Sequence, residues 1–359
     1  MKVSFYFGVF ARYGGIEEFT NDLALSLSAA GLDVQIICAS MKNPILDNLK
    51  TKGVKVIRVP VFWGCRWNIP DYALLPFALW SMKKSDVVIH QKPFKLSFYR
   101  LLSRKAKHIY ITAYRPTEQF PDPEYRKNFF SLFDLVLTQT RLFKEELKEV
   151  ADASFVKSIP YIPPIPFGQS DKRSTDGILK IGMMGRLEAQ KNPGFAMKIV
   201  ADLQRNLPGC WHKIEFHVYG SGSLESMMRT ESANIGLTTV FHGKYDRSEV
   251  SDIVSENDLF LITSDSEGQC IVALEILAGG RPLFATPIGA LPEILNEETR
   301  GCIVPQEDSS EAARRISSWL VRNAEIGVAD IQRSYIAGFN RKEIELEYVA
   351  ILKREILSK

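Results

Sequence analysis

At 359 residues the chain is long enough for two ordinary domains, and its hydrophobic and charged fractions of 45% and 24% are those of a globular protein, which excludes a disordered or collagenous chain. The formal net charge is only +3, and no interleaving of aromatic and basic residues indicates nucleic-acid binding. The five cysteines are widely spaced with no CxxC pair and the five histidines form no cluster, so the sequence predicts neither disulfides nor a protein-held metal and fits a reducing cytoplasm.

The first half of the chain alternates short apolar runs with helical patterns. Residues 3–10 predict a buried strand and not a signal peptide, because Arg12-Tyr13-Gly14-Gly15 follow where small cleavage-site residues would lie. Residues 16–30 carry apolar side chains at helical spacing, and Gly31 is predicted to cap that helix. The other strands are predicted at 33–40, 54–62, 86–90, 108–114 and 134–140. Such strands, separated by helices, indicate a parallel sheet covered on both faces.

A proline-rich segment, residues 159–177, separates this half from a second alternation and is predicted to be a linker. The second set of strands is predicted at 179–185, 213–220, 238–244, 258–264 and 282–287. The sequence therefore predicts an N-terminal Rossmann-like domain at 1–168, a second at 169–339, and a helix at 340–359 that packs back toward the first domain. Ligands lie at the carboxyl ends of such strands, so two facing sheets make a natural cleft. No run approaches the roughly 20 apolar residues that span a bilayer.

Charge is distributed unevenly along the chain, with a basic excess in the first half and an acidic excess in the second. Much of the basic excess lies in 83–108, which predicts either a solvated helix face or a surface for anionic lipid or an anionic acceptor. Aromatic residues in the first half are either core or an exposed contact for a membrane-linked glycan or lipid: Phe62, Trp63, Trp67, Phe94, Phe98 and Tyr99.

The densest cluster of candidate site residues lies in 258–295. A strand leads to Glu267-Gly268, and a helix is predicted to begin near Gln269 and end at Ala278, with Glu275 on it. The N–H groups of the first turn of that helix form an anion site, and Gly268 lets a ligand approach the backbone. The two glutamates are either a pair that binds sugar hydroxyls or a helix-capping residue and a surface residue. If Glu275 faces inward, burial requires a specific partner.

Two further segments are candidates for phosphate binding. Residues 181–194 place Arg186 and Lys191 after a strand that ends at Gly185, and two such cations suit a diphosphate, although each is also an ordinary loop residue. Gly14-Gly15, between the first strand and the first helix, form either a tight turn or a set of N–H groups that face a phosphate.

The spacing Glu267-x7-Glu275, with Ser264 before it and Gly289-x2-Pro292-Glu293 after it, resembles family 4 of the retaining glycosyltransferases, which adopt the GT-B fold. Other segments along nearly the whole chain are similar to landmarks of the same family: Gly185-Arg186-Leu187 with Lys191-Asn192, Tyr219-Gly220-x-Gly222, Phe241-x-Gly243 and Gly14-Gly15-Ile16-Glu17. The resemblance implies an α/β fold of two Rossmann-like domains with parallel sheets facing across a cleft.

The resemblance also implies roles for individual residues in the binding of a UDP- or GDP-sugar, with no permanently bound cofactor. Glu275 is expected to hold the ribose hydroxyls, Arg186 and Lys191 the diphosphate, and Glu267 the donor sugar. The remaining expected donor-binding residues act through their backbone: Gly15, Gly185, Gly268, Gln269, Cys270 and Ile271. The departing diphosphate is expected to take the acceptor's proton, with Glu267, Arg186 and Lys191 as the catalytic residues.

Some positions depart from the family pattern. Cys270 stands where the family often has glycine, and Thr112-Ala113-Tyr114-Arg115 stands where it often has a cleft-facing histidine. Tyr114 or Arg115 is a candidate substitute on the acceptor side, as is His90, which is either cleft-facing or packed at the strand end. Tyr161-Ile162-Pro163-Pro164 replaces the family's Asn-Gly-Val-Asp.

The sequence therefore predicts a retaining glycosyltransferase of the hexosyltransferase type that acts on a glycan or lipid-linked acceptor in polysaccharide or glycolipid synthesis. Its expected location is the cytoplasm, with peripheral contact to anionic membrane. The alternatives are a non-catalytic protein that binds a nucleotide sugar and a sugar-nucleotide epimerase on the same fold.

Overall fold

The computed structural model describes every residue except 11–13, 41–42, 60–79, 81, 94–98, 100–105, 169–176, 206, 208–210 and 358–359. The chain divides into two compact units: Met1–Ile162 with Lys342–Lys359, and Pro163–Arg341. Part of the predicted linker and much of the predicted membrane-facing surface, including Trp63, Phe94 and Lys95, lie outside the described residues.

The first unit contains a parallel sheet with the strand order β3-β2-β1-β4-β5-β6-β7. Its strands are β1 (Lys2–Val9), β2 (Asp33–Ala39), β3 (Lys55–Val59), β4 (Val87–His90), β5 (Lys107–Ile111), β6 (Leu135–Thr138) and β7 (Val156–Ser158). The six strands that the sequence predicts in this half are confirmed, with slightly different ends. The three-residue strand β7, which pairs only with β6, is not predicted because its residues form too short a pattern.

The described helices of the first unit are α1 (Gly15–Ala29), α2 (Pro44–Thr51), α3 (Pro116–Gln119), α4 (Pro123–Phe130), α5 (Arg141–Lys148) and the C-terminal helix α13 (Arg341–Leu357). Helix α1 buries Phe19, Leu23 and Leu27 at the predicted helical spacing. Gly31 follows it with φ +80°, the left-handed conformation that ends helices, so the predicted stop is confirmed.

One face of the first sheet carries a core that is rich in aromatic residues. Tyr110 of β5 packs edge-on against Phe129 of α4, with ring centroids 5.2 Å apart. Helix α13 belongs to this unit: the Tyr348 hydroxyl donates to the Pro160 carbonyl at 3.1 Å, and its ring lies 5.7 Å from that of Phe19. The last helix therefore completes the core of the unit in which the chain begins.

The second unit contains a parallel sheet with the order β10-β9-β8-β11-β12. Its strands, all predicted, are β8 (Ile178–Met184), β9 (Lys213–Tyr219), β10 (Thr239–Gly243), β11 (Leu259–Ile262) and β12 (Leu283–Ala285). Its described helices are α6 (Pro193–Arg205), α7 (Glu225–Asn234), α8 (Val250–Glu256), α9 (Ile271–Ala278), α10 (Leu291–Ile294), α11 (Ser309–Arg322) and α12 (Val328–Gly338).

Both faces of the second sheet are covered by apolar side chains. Helices α6 and α11 close one face, with Ile199 and Trp319 in its core. Helices α9 and α12 contribute Leu274 and Tyr335 to the other. Strands buried on both faces explain why the sequence shows continuous apolar runs here instead of alternation. In the part of the chain that the structure describes, no helix is both long and apolar enough to span a bilayer.

Candidate functional site

The strand order of the second sheet identifies where a ligand is expected. From β8 the chain proceeds to β9 and β10 on one side, whereas β11 and β12 lie on the other. The carboxyl ends of β8 and β11 therefore flank a topological switch point, the usual ligand crevice of an open parallel sheet. The loop after β8 carries Gly185, Arg186 and Lys191, and the loop after β11 carries Glu267 and Gly268. The topology thus brings together residues about 75 positions apart in sequence.

A direct ion pair joins the two loops. The Lys191 ammonium donates to Oε1 of Glu267, and the Ser264 hydroxyl donates to the same oxygen at 2.7 Å. Glu267 is only 7% exposed, so its charge depends on these two donors. Burial by itself lowers the pKa of Lys191, but its acidic neighbours, Glu267 among them, outweigh burial, and the net effect raises that pKa. Lys191 therefore carries its positive charge in the crevice.

Further hydrogen bonds fix the two loops to each other. The Gln190 amide donates to the Ser266 carbonyl at 2.8 Å, and the Asp265 N–H donates to the Gln190 carbonyl at 2.9 Å. Thr263 donates to the carbonyl of Asn192 at 2.9 Å. These bonds hold the ion pair in one place with little freedom to rearrange.

Gly185 has a structural role in addition to the backbone contact that the sequence predicts. Its N–H already donates to the Tyr219 carbonyl at 2.9 Å, and its φ is +138°. A Cβ on Gly220 would lie 1.8 Å from the Gly185 carbonyl oxygen, so the ends of β8 and β9 approach this closely only because Gly220 has no side chain. Arg186, the next residue, is exposed, with one contact of 3.4 Å to Gln190.

The start of α9 lies directly after Glu267 and Gly268. Its N-terminal cap residue, Cys270, adopts a left-handed conformation with φ +58° and makes no side-chain cap hydrogen bond. Cysteine thus occupies here a conformation that favours glycine, which accounts for the family's glycine at this position. Burial, with Glu267 nearby, raises the pKa of the Cys270 thiol to about 12, so the thiol stays protonated and is not a nucleophile at neutral pH.

A second turn, at Gly289, packs directly against the backbone of the Glu267-Gly268 segment. Gly289 has φ +58°, and a Cβ there would lie 2.3 Å from the Gly268 carbonyl oxygen and 2.5 Å from that of Glu267. The next residue, Ala290, donates its N–H to the Gly268 carbonyl at 2.9 Å. This contact gives a physical reason for the Gly289 that the sequence pattern includes.

Glu275 lies on α9 and is half-buried. Burial, followed by the charge of Glu275, raises the pKa of Tyr245, and the same carboxylate raises the pKa of Tyr335 after the larger effect of burial. The charge of Glu275 is therefore felt by two tyrosines, which the sequence analysis did not connect to it. Gln269 is buried, and Ile271 is half-buried at the first position of α9.

The acceptor-side candidates lie on the first unit in different environments. His90 is fully buried: its Nε2 lies 3.1 Å from His108 Nδ1, and its ring packs 5.3 Å from Tyr99. Burial, and then His108, hold the pKa of His90 well below its usual value. Of the two interpretations of His90, the packed strand-end histidine is therefore the one that the structure favours.

Tyr114 is 44% exposed, and Arg115 donates to Glu146 of α5 at 2.6 Å. Gly15 is the first residue of α1, after an N-cap glycine without a side-chain cap. Lys92, after β4, donates to the buried Glu17 of α1 at 2.7 Å, a pairing that the sequence analysis did not predict. The two residues are 75 positions apart, so no local sequence pattern indicates that they pair.

Among the described residues, no group of three His, Cys, Asp or Glu could hold a metal ion.

Comparisons with known proteins agree with this geometry. Residues 169–326 match the family model of glycosyl transferases group 1. The amylovoran biosynthesis glycosyltransferase AmsK of Erwinia amylovora is 25% identical over 238 residues, covering 63% of this chain and 56% of that protein. The UDP-N-acetylglucosamine–peptide N-acetylglucosaminyltransferase GtfA subunit of Streptococcus pneumoniae is 28% identical over 283 residues, covering 73% and 54%. The chain thus spans little more than half of these two relatives.

One relative matches over most of its length: the putative teichuronic acid biosynthesis glycosyltransferase TuaC of Bacillus subtilis is 22% identical, covering 92% of this chain and 93% of that protein. Among solved structures, the pneumococcal O-GlcNAc transferase GtfA in complex with UDP and GlcNAc has a TM-score of 0.79 at 14% identity, covering 100% and 99% of the two chains. Anabaena Alr3699/HepE in complex with UDP-glucose has a TM-score of 0.74 at 15% identity, covering 99% and 100%. These likenesses show the fold, and the chain has the predicted α/β GT-B fold with two parallel sheets.

Proposed function

We propose that this chain is a retaining glycosyltransferase that moves a hexose-type sugar from a nucleoside-diphosphate sugar to a glycan or lipid-linked acceptor. The observation that carries the proposal is the Lys191–Glu267 pair at the switch point between β8 and β11, beside Arg186 and the start of α9, which has no side-chain cap. This site lies within the segment that matches glycosyl transferases group 1.

The cations of the site suit the diphosphate of the donor. An ammonium has three N–H donors, and Glu267 takes one from Lys191, so two remain for phosphate oxygens. Arg186 is exposed next to Lys191 and presents a planar fork. The backbone N–H groups at the start of α9 add the positive end of a helix dipole. Together these groups stabilise the charge that develops on the departing diphosphate.

The two carboxylates suit the hydroxyl groups of the donor. Glu275, on α9, is proposed to accept from the ribose hydroxyls. Glu267 is proposed to contact the transferred sugar while it holds Lys191. The acceptor oxygen attacks the anomeric carbon on the face from which the diphosphate leaves, and the diphosphate takes the acceptor's proton. No covalent protein nucleophile is required, and the protonated Cys270 thiol does not supply one.

The donor is proposed to be a UDP-sugar. Two structural neighbours were solved with UDP and GlcNAc or with UDP-glucose, and one relative is named for UDP-N-acetylglucosamine. Two relatives are named for amylovoran and teichuronic acid biosynthesis. A role in the synthesis of a cell-surface polysaccharide follows as part of the proposal.

Nucleotide binding is the first test. The melting temperature of the chain is measured with UDP, GDP, UDP-glucose, UDP-galactose, UDP-N-acetylglucosamine and GDP-mannose. A ligand at about 100 times its Kd stabilises the folded state by about 2.7 kcal/mol. Lys191→Gln, which keeps a hydrogen-bond donor for Glu267, and Glu275→Gln should each remove most of the shift. The exposed residues Lys198 and Glu298 provide matched controls, Lys198→Gln and Glu298→Gln. A wild-type chain that responds to no nucleotide contradicts the proposal.

Stereochemistry is the second test. The anomeric configuration of the product is read from the proton coupling constant at the new linkage, with a donor of known α configuration. Retention gives an α-linked product, and an inverted product contradicts the proposed same-face attack. Formation of an epimerised UDP-sugar without acceptor would instead identify an epimerase.

A further inference from the structure

Two non-glycine residues in the described part of the chain have a positive φ, and both lie in the loops of the candidate site. Asn192, with φ +43°, follows Lys191 directly, and Cys270, with φ +58°, precedes α9. A Cβ makes this left-handed conformation unfavourable, so the surrounding structure must hold each residue in it. Backbone strain of this kind concentrates at binding and catalytic sites. Asn192 is the strained position in the loop after β8.

The sequence around Asn192 explains its conformation. Asn192 connects a short 3₁₀ turn, Ala189–Lys191, to α6. Its N–H donates to the Ala189 carbonyl at 2.9 Å, which ends the turn, and the next residue is Pro193. Proline disfavours the right-handed helical conformation in the residue before it, so the turn does not run on into α6. Asparagine tolerates the left-handed conformation better than most residues with a side chain. The chain therefore changes direction directly after Lys191.

The side chain of Asn192 ties this change of direction to the loop after β11. Its Nδ2 donates to Asp265 Oδ1 at 3.0 Å, and its Oδ1 accepts from the Phe195 N–H in the first turn of α6 at 3.3 Å. The backbone is held as well, because the buried Thr263 hydroxyl lies 2.9 Å from the Asn192 carbonyl and 3.2 Å from the Lys191 carbonyl. Asn192 thus makes contacts in both loops of the crevice.

These contacts matter for Lys191 because its own partner lies on the other loop. The ammonium donates to Glu267, two residues after Asp265. A lysine stem is flexible, so the place of its charge depends on where its backbone begins and where its partner lies. The Asn192–Asp265 bond joins the loops one residue from Lys191 and two from Glu267. A misplacement of about 1 Å at such a group costs on the order of 10²-fold in rate.

We propose that Asn192 is a positioning residue for Lys191. Its left-handed backbone and its hydrogen bonds to Asp265 and α6 place the Lys191 ammonium beside Glu267, where it meets the diphosphate of the donor. Asn192 acts through Lys191 and not on the nucleotide itself. The inference rests on the proposed function, because the diphosphate is the group that Lys191 is proposed to bind.

Titration calorimetry with UDP on the full chain tests this role. Asn192→Ala removes both side-chain bonds and disfavours the left-handed backbone, so the Kd for UDP should rise about ten-fold or more. Asn192→Asp alone places a second carboxylate against Asp265 and should also weaken binding. The double variant Asn192→Asp with Asp265→Asn exchanges donor and acceptor at the same net charge. It should return the Kd to within about two-fold of the wild-type value.

A double-mutant cycle separates positioning from a general loss of structure. In a Lys191→Gln background, Asn192→Ala should change the Kd by less than about two-fold, because the group that it positions is absent. Saturation-transfer difference NMR extends the titration to this weaker background.

Asn43→Ala is the matched control. Asn43 also precedes a proline at the start of a helix, α2, and accepts from the Leu46 N–H at 3.3 Å. This variant should lower the melting temperature and leave the affinity for UDP unchanged.

Three results would overturn the inference. They are a Kd for Asn192→Ala within about two-fold of wild type, an exchange variant that binds no better than Asn192→Asp, and an equal effect of Asn192→Ala with and without Lys191. If Asn192→Ala does not fold, Asn192→Asp and the exchange variant decide the question. A wild-type chain that does not bind UDP would contradict the proposed donor site, and this inference with it.

Discussion

The contact between Gly289 and the Glu267-Gly268 segment allows a sharp test of the donor site. In a Gly289→Ala variant the new Cβ would lie 2.3 Å from the Gly268 carbonyl oxygen, whereas ordinary contacts begin at 3.4 Å. The segment would therefore have to move by about 1 Å. The left-handed φ of +58° adds a backbone cost of about 1–2 kcal/mol for a residue with a Cβ.

Gly236 provides a control that separates these two effects. Its φ of +65° is similarly left-handed, but a Cβ there meets nothing within 4 Å. We expect Gly236→Ala to cost about 1 kcal/mol, a decrease of about 2–4 °C in melting temperature for a unit of this size. Gly289→Ala carries an additional overpacking cost of about 1–3 kcal/mol, so its decrease should be at least twice as large.

The assay for function is titration calorimetry with UDP on the same variants. A displacement of about 1 Å at a binding or catalytic group costs on the order of 10²-fold in rate, so the Kd for UDP should rise about ten-fold or more in Gly289→Ala. It should be unchanged in Gly236→Ala. Equal melting temperatures and equal UDP affinities for the two variants would refute the conclusion that Gly289 supports the Glu267 segment.

Two further predictions concern hydrogen bonding and pH. Ser264→Ala removes one of the two donors to the buried Glu267 carboxylate, so the free energy of unfolding measured in urea should fall by about 1.5–3 kcal/mol. The control Ser226→Ala, at an exposed position, should cause no measurable decrease. A decrease below about 0.5 kcal/mol for Ser264→Ala would contradict the described hydrogen bond. The pKa of His90 is lowered well below 6.5 by burial, so folding favours the neutral ring, and stability is present above about pH 6.5 and declines as the pH falls below it. The decline contributed by this one group is about 1.4 kcal/mol per pH unit. His90→Gln should flatten the fall in unfolding free energy between pH 7.5 and 5.5, the exposed His212→Gln should not, and identical slopes for both would show that His90 does not titrate on unfolding.

The fold follows from the sequence more completely than the site does. Strands such as β8 and β11 are continuous apolar runs because helices cover both faces of their sheet, and this pattern is local and easily recognised. Strand β7 has only three residues and pairs on one side, so its existence depends on β6 and not on its own pattern. The helix at 271–278 begins two residues after its predicted start because Cys270 takes a left-handed conformation. A cysteine in the sequence gives no indication of that conformation, which usually requires glycine.

The residue types at the proposed donor site are visible in the sequence, but the pairing between them is not. Lys191 and Glu267 are separate signals until the strand order places both at one switch point. The position of His90 likewise cannot be interpreted without knowing which residues the fold packs beside it. A strand-end histidine can lie at the sheet edge or in the core, and here the aromatic cluster of Tyr99 and Phe133 beside it determines the outcome.

The two units each contain a lysine–glutamate ion pair at the same topological position. In each sheet the switch point is spanned by one lysine and one buried glutamate on the two flanking loops: Lys191 with Glu267 in the second unit, and Lys92 with Glu17 in the first. The surroundings differ in the respect that matters for the ligand. Beside Lys191 stand Arg186 and an uncapped helix start, so positive charge is in excess and a diphosphate is favoured. At the first sheet Lys92 pairs with Glu17, and Arg115, which follows β5, pairs with Glu146, so each of these two cations has a carboxylate beside it.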